Sequence, residues 1–207
     1  LKNKLEEMGF KGTIVYLPNF VNLEEYKPQY AGEENSIIYF GRLSKEKGLF
    51  TLLEAMKGLN IKLKIIGEGP SKEDLKRRAF GAGSSNIEFL GYMAGEELKD
   101  EIRKSMFIIL PSEWYENNPR TIIEGFALGK PAIGARIGGI PELVKDDETG
   151  LTFEPWNTDD LKRKILHLLE NPSEISRMGK IARKIVSEES NPERHYEKLM
   201  EIYKNCS

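Results

Sequence analysis

The chain holds 207 residues, 39% of them hydrophobic, enough to bury a sizeable core as one domain, or as one domain with an extra helix. Its 31 basic and 33 acidic residues leave a net charge of −2, which argues against an extended nucleic-acid or acidic-membrane surface while permitting a local basic pocket. The single cysteine, Cys206, allows no intrachain disulfide and fits a reducing, cytoplasmic compartment; apolar runs are strand-sized, with no visible signal peptide or transmembrane stretch.

Residues 1–9 read as a helix closed by Gly9, and Leu1 opens in the middle of it, which points to a piece of a longer chain. A short strand is expected at 13–17, then a loop with two prolines. From there strands and helices alternate, with strands at 36–40, 61–67, 86–91, 106–111 and 131–135 and helices at 51–59, 72–80, 95–104 and 119–128. Residues 150–154 form a short strand or turn, and helices follow at 158–170, 174–189 and 193–204, with Pro172 and Pro192 as punctuation. Strands separated by helices of this length need crossover connections. The expected fold is therefore α/β, a doubly wound and mainly parallel sheet with helices on both faces, plus C-terminal helices. Near-continuous apolar strands such as Phe107–Leu110 suit a sheet covered on both sides.

The unusual residues cluster just after the strands, at GRLSKEKG, GEGPS, GYM, PSEWYENNP and RIGGIPE. Ligands of open parallel sheets bind beyond the carboxyl ends of the strands, so a site is expected on that edge. In the first loop Arg42 offers a bidentate fork for phosphate oxygens and Lys47 a mobile charge, with Gly41 and Gly48 allowing close or unusual backbone. The same residues could form a solvated charged turn. The turn Gly67–Pro70 resembles a phosphate loop but lacks a full dinucleotide or Walker pattern, and a plain turn explains it as well.

Glu116 and Glu124, separated by seven residues, straddle a helix start at which Asn118 reads as the N-cap and Pro119 as the first helical residue. A helix mouth attracts anions, and carboxylates beside it are suited to holding hydroxyl groups, which together suggest a ligand carrying phosphate and sugar. Glu124 could instead pair with Arg120 four residues before it, although the apolar character of the helix favours a ligand-facing role. Gly138 and Gly139 would permit close approach of a ligand or a facing domain, and Glu142 reads equally as a cap or a contact. Trp114 and Tyr115 either wall the pocket or pack inward, and His167 and His195 read as packing or surface residues. No metal cluster, Ser–His–Asp arrangement or Asp-x-Asp handle is visible.

Taken together, GRLSKEKG, GEGP, NIEFLGY and PSEWYENNPRTIIEGFALGKPAIGARIGGIPELV resemble the C-terminal, donor-binding domain of family 4 retaining glycosyltransferases of the GT-B fold, over nearly the whole chain. The resemblance implies that Arg42 and Lys47 grip the donor diphosphate and that Glu116 binds the transferred sugar; these three are the expected catalytic residues. Asn117, Asn118, Pro119, Arg120 and Thr121 would match the segment approaching the distal phosphate, with Arg120 and Thr121 as donors because Pro119 has no N–H. Glu124 would hold the ribose, and Gly41, Gly67, Gly69, Gly91, Tyr92 and Met93 would line the phosphate and base pocket. It further implies a linker helix at 1–12, a donor domain at 13–190 and a final helix at 191–207 crossing back to a missing N-terminal acceptor domain. The activity implied is metal-independent hexose transfer from a nucleotide diphosphate sugar, with no cofactor beyond that substrate. No nucleic-acid partner is expected, peripheral association with the inner membrane surface would run through the missing domain, and the isolated piece would transfer little or no sugar. Asn19-Phe20-Val21-Asn22 departs from the family's usual Asn-Gly-Val-Asp. Competing possibilities are a non-catalytic nucleotide-sugar-binding or partner-binding subunit, and a GT-B enzyme of epimerase or phosphorylase type.

Overall fold

A computed structural model of the protein describes residues 2–81 and 86–205, with side chains from residue 5 onward; Leu1 and Cys206 lie outside the described residues. Six parallel strands form one sheet: β1 (Ser36–Phe40), β2 (Lys62–Ile66), β3 (Ile87–Gly91), β4 (Ile108–Leu110), β5 (Ala132–Ala135) and β6 (Gly150–Phe153). Their spatial order is β3-β2-β1-β4-β5-β6, with every ladder parallel, as the alternating pattern requires. The chain winds outward in one direction from β1 to β3 and in the other from β4 to β6. The order therefore reverses between β1 and β4, and the crossovers on either side part there to leave a crevice at the strand ends.

The crossovers carry α2 (Leu49–Ala55), α3 (Lys72–Gly81), α4 (Gly95–Lys104), α5 (Arg120–Ala127) and the single turn α6 (Ile140–Leu143). Helices α7 (Thr158–Glu170), α8 (Pro172–Glu189) and α9 (Pro192–Asn205) complete the chain, and α1 (Lys2–Glu7) opens it. All five residues of β1 are buried, as are all of β4 and β5, which explains why these strands are apolar without alternation. The exception is Lys64 in β2, which is buried with its ammonium between Glu34 and Glu101, each at 2.7 Å. Burial pulls that amine down, but hydrogen bonds to the two carboxylates outweigh it and hold the amine above its ordinary range. No helix among the described residues is long and apolar enough to cross a membrane.

Two local expectations are corrected. Residues 13–17 form no strand and pair with none among the described residues, and Val15 and Tyr16 are exposed. A β-branched stretch favours extended backbone, yet a strand exists only where an edge accepts it. Asn118 does not cap α5. The cap position is Pro119, which offers no side-chain bond, and the helix begins at Arg120. Glu124 lies about one turn inside it. Asn118 instead accepts from the Asn19 backbone N–H at 2.7 Å and donates to the Tyr16 hydroxyl at 2.9 Å, tying the early segment to the mouth of α5.

Candidate functional site

The loop after β1 is fixed by the loop after β4. Gly48 takes φ 68, and a Cβ there would lie 1.8 Å from the Pro111 carbonyl oxygen, so only glycine lets the two loops close. Glu113 donates its backbone N–H to the Glu46 carbonyl at 2.8 Å, and Thr51 donates to the Glu113 carboxylate at 2.6 Å. This interlock brings Lys47 Nζ to 2.5 Å from Glu116 Oε1. Ser112 donates its hydroxyl to the same oxygen at 2.7 Å, while Glu116 Oε2 has no partner among the described residues. Beneath them the Tyr39 hydroxyl donates to the Arg42 carbonyl at 2.8 Å; burial, then the carboxylates of Glu116 and Glu46, push that phenol far up.

Glu116 is also held from behind. Gly139 donates its N–H to the Glu116 carbonyl at 2.6 Å, and a Cβ on Gly139 would lie 1.7 Å from the Asn117 carbonyl oxygen. The close approach expected of Gly138 and Gly139 is therefore to the backbone of this chain's own 115–117 loop, which a facing ligand or domain is not needed to explain. Both loops sit at the carboxyl ends of adjacent strands, where sequence distance is large and spatial distance is small.

At the mouth of α5 the backbone N–H groups of Arg120 and Thr121 have no acceptor among the described residues, and the Ile122 N–H bonds back to the Pro119 carbonyl at 3.1 Å. Free donors and the helix dipole together make this an anion-seeking point. It opens into a cavity of about 880 Å³ bounded by the ends of β1, β2 and β3 and one side of α4. Gly41, Arg42, Gly67, Gly69, Tyr92, Met93, Arg120, Thr121 and Glu124 all line it, whereas Gly91, Asn117, Asn118 and Pro119 do not. The Arg42 guanidinium makes no ion pair among the described residues. A smaller recess of about 290 Å³, bordered by Arg42, Lys47 and Thr121, leads on from this cavity. Beyond it a hollow of about 420 Å³ is bordered by Glu46, Lys47, Trp114 and Glu116.

Glu124 combines the two placements weighed for it. It lines the cavity, and it also pairs with Arg120 at 3.4 Å, an arginine that remains 66% exposed and free to turn. Burial raises the Glu124 carboxyl above its ordinary range, and Arg120, then Lys99, pull it back in part. Three lining residues had no signal in the sequence. Tyr26, Lys99 and Leu98 come from a loop and a helix with ordinary composition. The Lys99 ammonium sits 4.5 Å from the centre of the Tyr26 ring and donates to the Glu25 carbonyl at 2.8 Å, closing the far wall. Ser112 was findable, because a hydroxyl at the end of β4 and four residues before Glu116 falls within reach of it. Among the described residues no three His, Cys, Asp or Glu side chains gather as a metal site.

A six-stranded Rossmann-like sheet with an anion-seeking helix mouth, an arginine and two carboxylates at its switch point defines a protein of the doubly wound α/β class with a candidate ligand site at the strand ends. The family described as "Glycosyl transferases group 1" matches residues 23–185. The chain belongs to that family. It is 33% identical over 171 residues to an uncharacterized glycosyltransferase of Methanocaldococcus jannaschii, a match covering 83% of this chain and 48% of that protein. Among solved structures, sucrose-phosphate synthase from Thermosynechococcus elongatus superposes with a TM-score of 0.88 at 23% identity, covering 99% of this chain and 56% of that one. The Anabaena protein HepE, in complex with UDP and glucose, superposes with a TM-score of 0.87 at 19% identity, covering 98% and 60%. These two likenesses show the GT-B type of fold. The chain spans about half the length of the relatives it matches.

Proposed function

We propose that this chain is the donor-binding half of a family 4 retaining glycosyltransferase that moves a hexose from a nucleotide diphosphate sugar without a metal ion. The observation that carries this is the single cavity shared by Arg42, the open N–H groups of Arg120 and Thr121, and the partly buried Glu124. A nucleoside diphosphate presents a ribose diol and two phosphates, and this one cavity is lined by both a carboxylate and a cationic corner with open N–H groups. Glu124 accepts hydrogen bonds from the ribose hydroxyls, and Arg42 with the helix mouth holds the diphosphate. The transferred sugar extends past Thr121 toward Glu116, whose Oε2 is open to a hydroxyl.

In the transfer step the bond between the anomeric carbon and the phosphate oxygen breaks, and its electron pair stays on that oxygen. Arg42, Lys47 and the Arg120 and Thr121 N–H groups stabilise the charge that builds there. The acceptor hydroxyl attacks from the same face and gives its proton to the departing phosphate oxygen, which accounts for retention without a protein base. Lys47 is paired with Glu116 at 2.5 Å, so it serves both ends. It orients the Glu116 carboxylate that meets the sugar and lies beside the leaving phosphate. Residues 1–12 would form the linker, 13–190 the donor domain and 191–207 a helix returning to an N-terminal acceptor domain.

Titration calorimetry of the chain with UDP, GDP and ADP tests the site. At least one should bind, and Arg42→Ala should weaken it by about 1.5–3 kcal/mol, roughly tenfold to a hundredfold. If none binds, or if Arg42→Ala and Glu124→Ala leave affinity unchanged, the assignment is wrong.

A further inference from the structure

Trp114 stands 66% exposed on the loop after β4, although an indole of that size is ordinarily covered by something. The backbone on either side of it is pinned. Glu113 is bonded to Glu46 and Thr51 before it, and Glu116 to Gly139 after it, so the loop that carries the ring is fixed at the rim. It borders the hollow of about 420 Å³ together with Glu46, Lys47 and Glu116. A protein partner or a phosphate would be poorly served there, because two carboxylates face one ammonium that is already paired at 2.5 Å. The Ser44 hydroxyl, the first of several causes, holds the Glu46 carboxyl below its ordinary range and keeps it charged at neutral pH. What such a hollow suits is a ring with hydroxyls on its edge for Glu116 Oε2 and weakly positive C–H groups on its face for the electron-rich indole.

We propose that Trp114 is a stacking platform for the transferred sugar, and that the hollow around it selects a neutral pyranose over an acidic one. The inference rests on the donor-site proposal above and adds the residue and the sugar class. An acidic sugar would bring a third carboxylate against Glu46 and Glu116, whereas a neutral hexose meets both as hydrogen-bond acceptors.

The chain has two tryptophans, so Trp156→Phe leaves Trp114 as the only fluorophore of its kind. Emission and acrylamide quenching of that variant are followed with UDP, GDP, UDP-glucose, GDP-mannose and UDP-glucuronic acid. For the base that binds, the neutral nucleotide sugar should shift emission to the blue and reduce quenching relative to the nucleotide alone, and UDP-glucuronic acid should not. In calorimetry Trp114→Ala should lose roughly threefold to tenfold in affinity for the nucleotide sugar and nothing for the nucleotide, and Trp114→Phe should recover most of it. Identical emission with nucleotide and nucleotide sugar while both bind, or an equal loss for both in Trp114→Ala, overturns the platform and leaves the donor site standing. Absence of binding by every nucleotide overturns the donor site and the platform with it.

Discussion

Glu124 is placed where burial works against its charge, and only Arg120 at 3.4 Å and the more distant Lys99 offset this. Its folded value is raised, so the folded chain binds this proton more tightly than the unfolded chain does. The contribution to stability is fully present below the ordinary 4.5 and is lost as pH rises through the raised value. Glu124→Gln, which cannot ionise, should therefore raise the thermal midpoint at neutral pH and leave it nearly unchanged in acid. The same variant should weaken nucleotide binding roughly tenfold or more, because a charged acceptor of ribose hydroxyls is lost. A lower midpoint at neutral pH would show that the carboxylate is not penalised. Lys130 shows the opposite sign. Its ammonium is fully buried with no hydrogen-bond partner among the described residues, and burial drops it to about 8, with Glu33 opposing weakly. The unfolded chain keeps that proton up to about 10.5, so stability from this group grows between about 8 and 10.5 as pH rises. Lys130→Met should stabilise the chain at neutral pH and remove that rise, as urea unfolding at several pH values would show.

At the scale of elements, the loops that hold Glu116 depend on backbone contact more than on side chains. Gly139 has an ordinary negative φ, so Gly139→Ala adds no conformational strain, but its Cβ would lie 1.7 Å from the Asn117 carbonyl oxygen. The 115–117 loop must move, and with it Glu116. Overpacking of this kind costs about 1–3 kcal/mol. Gly139→Ala should lower the denaturant midpoint accordingly and weaken nucleotide sugar more than nucleotide, since Arg42 and Glu124 sit on other elements. Equal weakening of the two would place the damage elsewhere. Such contacts explain what could be read from the sequence. β1, α4 and α7 were found with their ends in place, because apolar runs and caps such as Asn157, which accepts from Asp160, are local. The alternation gave the parallel sheet, the loop after β1 gave Arg42 and the helix start gave Glu124, while Thr121 followed from the family resemblance alone. Residues 13–17 were misread because pairing is decided by an edge that local propensity cannot supply. Asn118 was misread because its best partner, Asn19, lies 99 residues away. The Lys47–Glu116 pair and the wall made by Tyr26 and Lys99 likewise exist only once β1, β4 and α4 are brought side by side.

For the whole molecule, the sheet order that makes the crevice also leaves one of its sides open. The cavity, the recess and the hollow follow the carboxyl edge of the sheet, lined by strand ends and by the loops and helices that follow them. Under the proposed function those groups serve the nucleotide, its phosphates and one sugar ring. In the proposed reading one sugar ring takes up the groups that border the hollow, Glu46, Lys47, Trp114 and Glu116. Exposed apolar side chains also gather on the early segment at Met8, Phe10 and Val15 and on α9 at Tyr196 and Met200. The two stretches are tied together where the Pro18 carbonyl lies 2.9 Å from His195 Nδ1 and Phe20 packs on the His195 ring. Binding and transfer should therefore separate. The chain by itself should bind nucleotide with the affinity that Arg42 and Glu124 confer, yet release almost no labelled sugar to an acceptor. A polypeptide extended on its N-terminal side to the length of the Methanocaldococcus jannaschii relative should transfer, and Arg42→Ala should abolish transfer there. Transfer by the chain alone at the rate of the longer polypeptide would mean that acceptor and donor share the one face, and that the hollow beside Trp114 holds both.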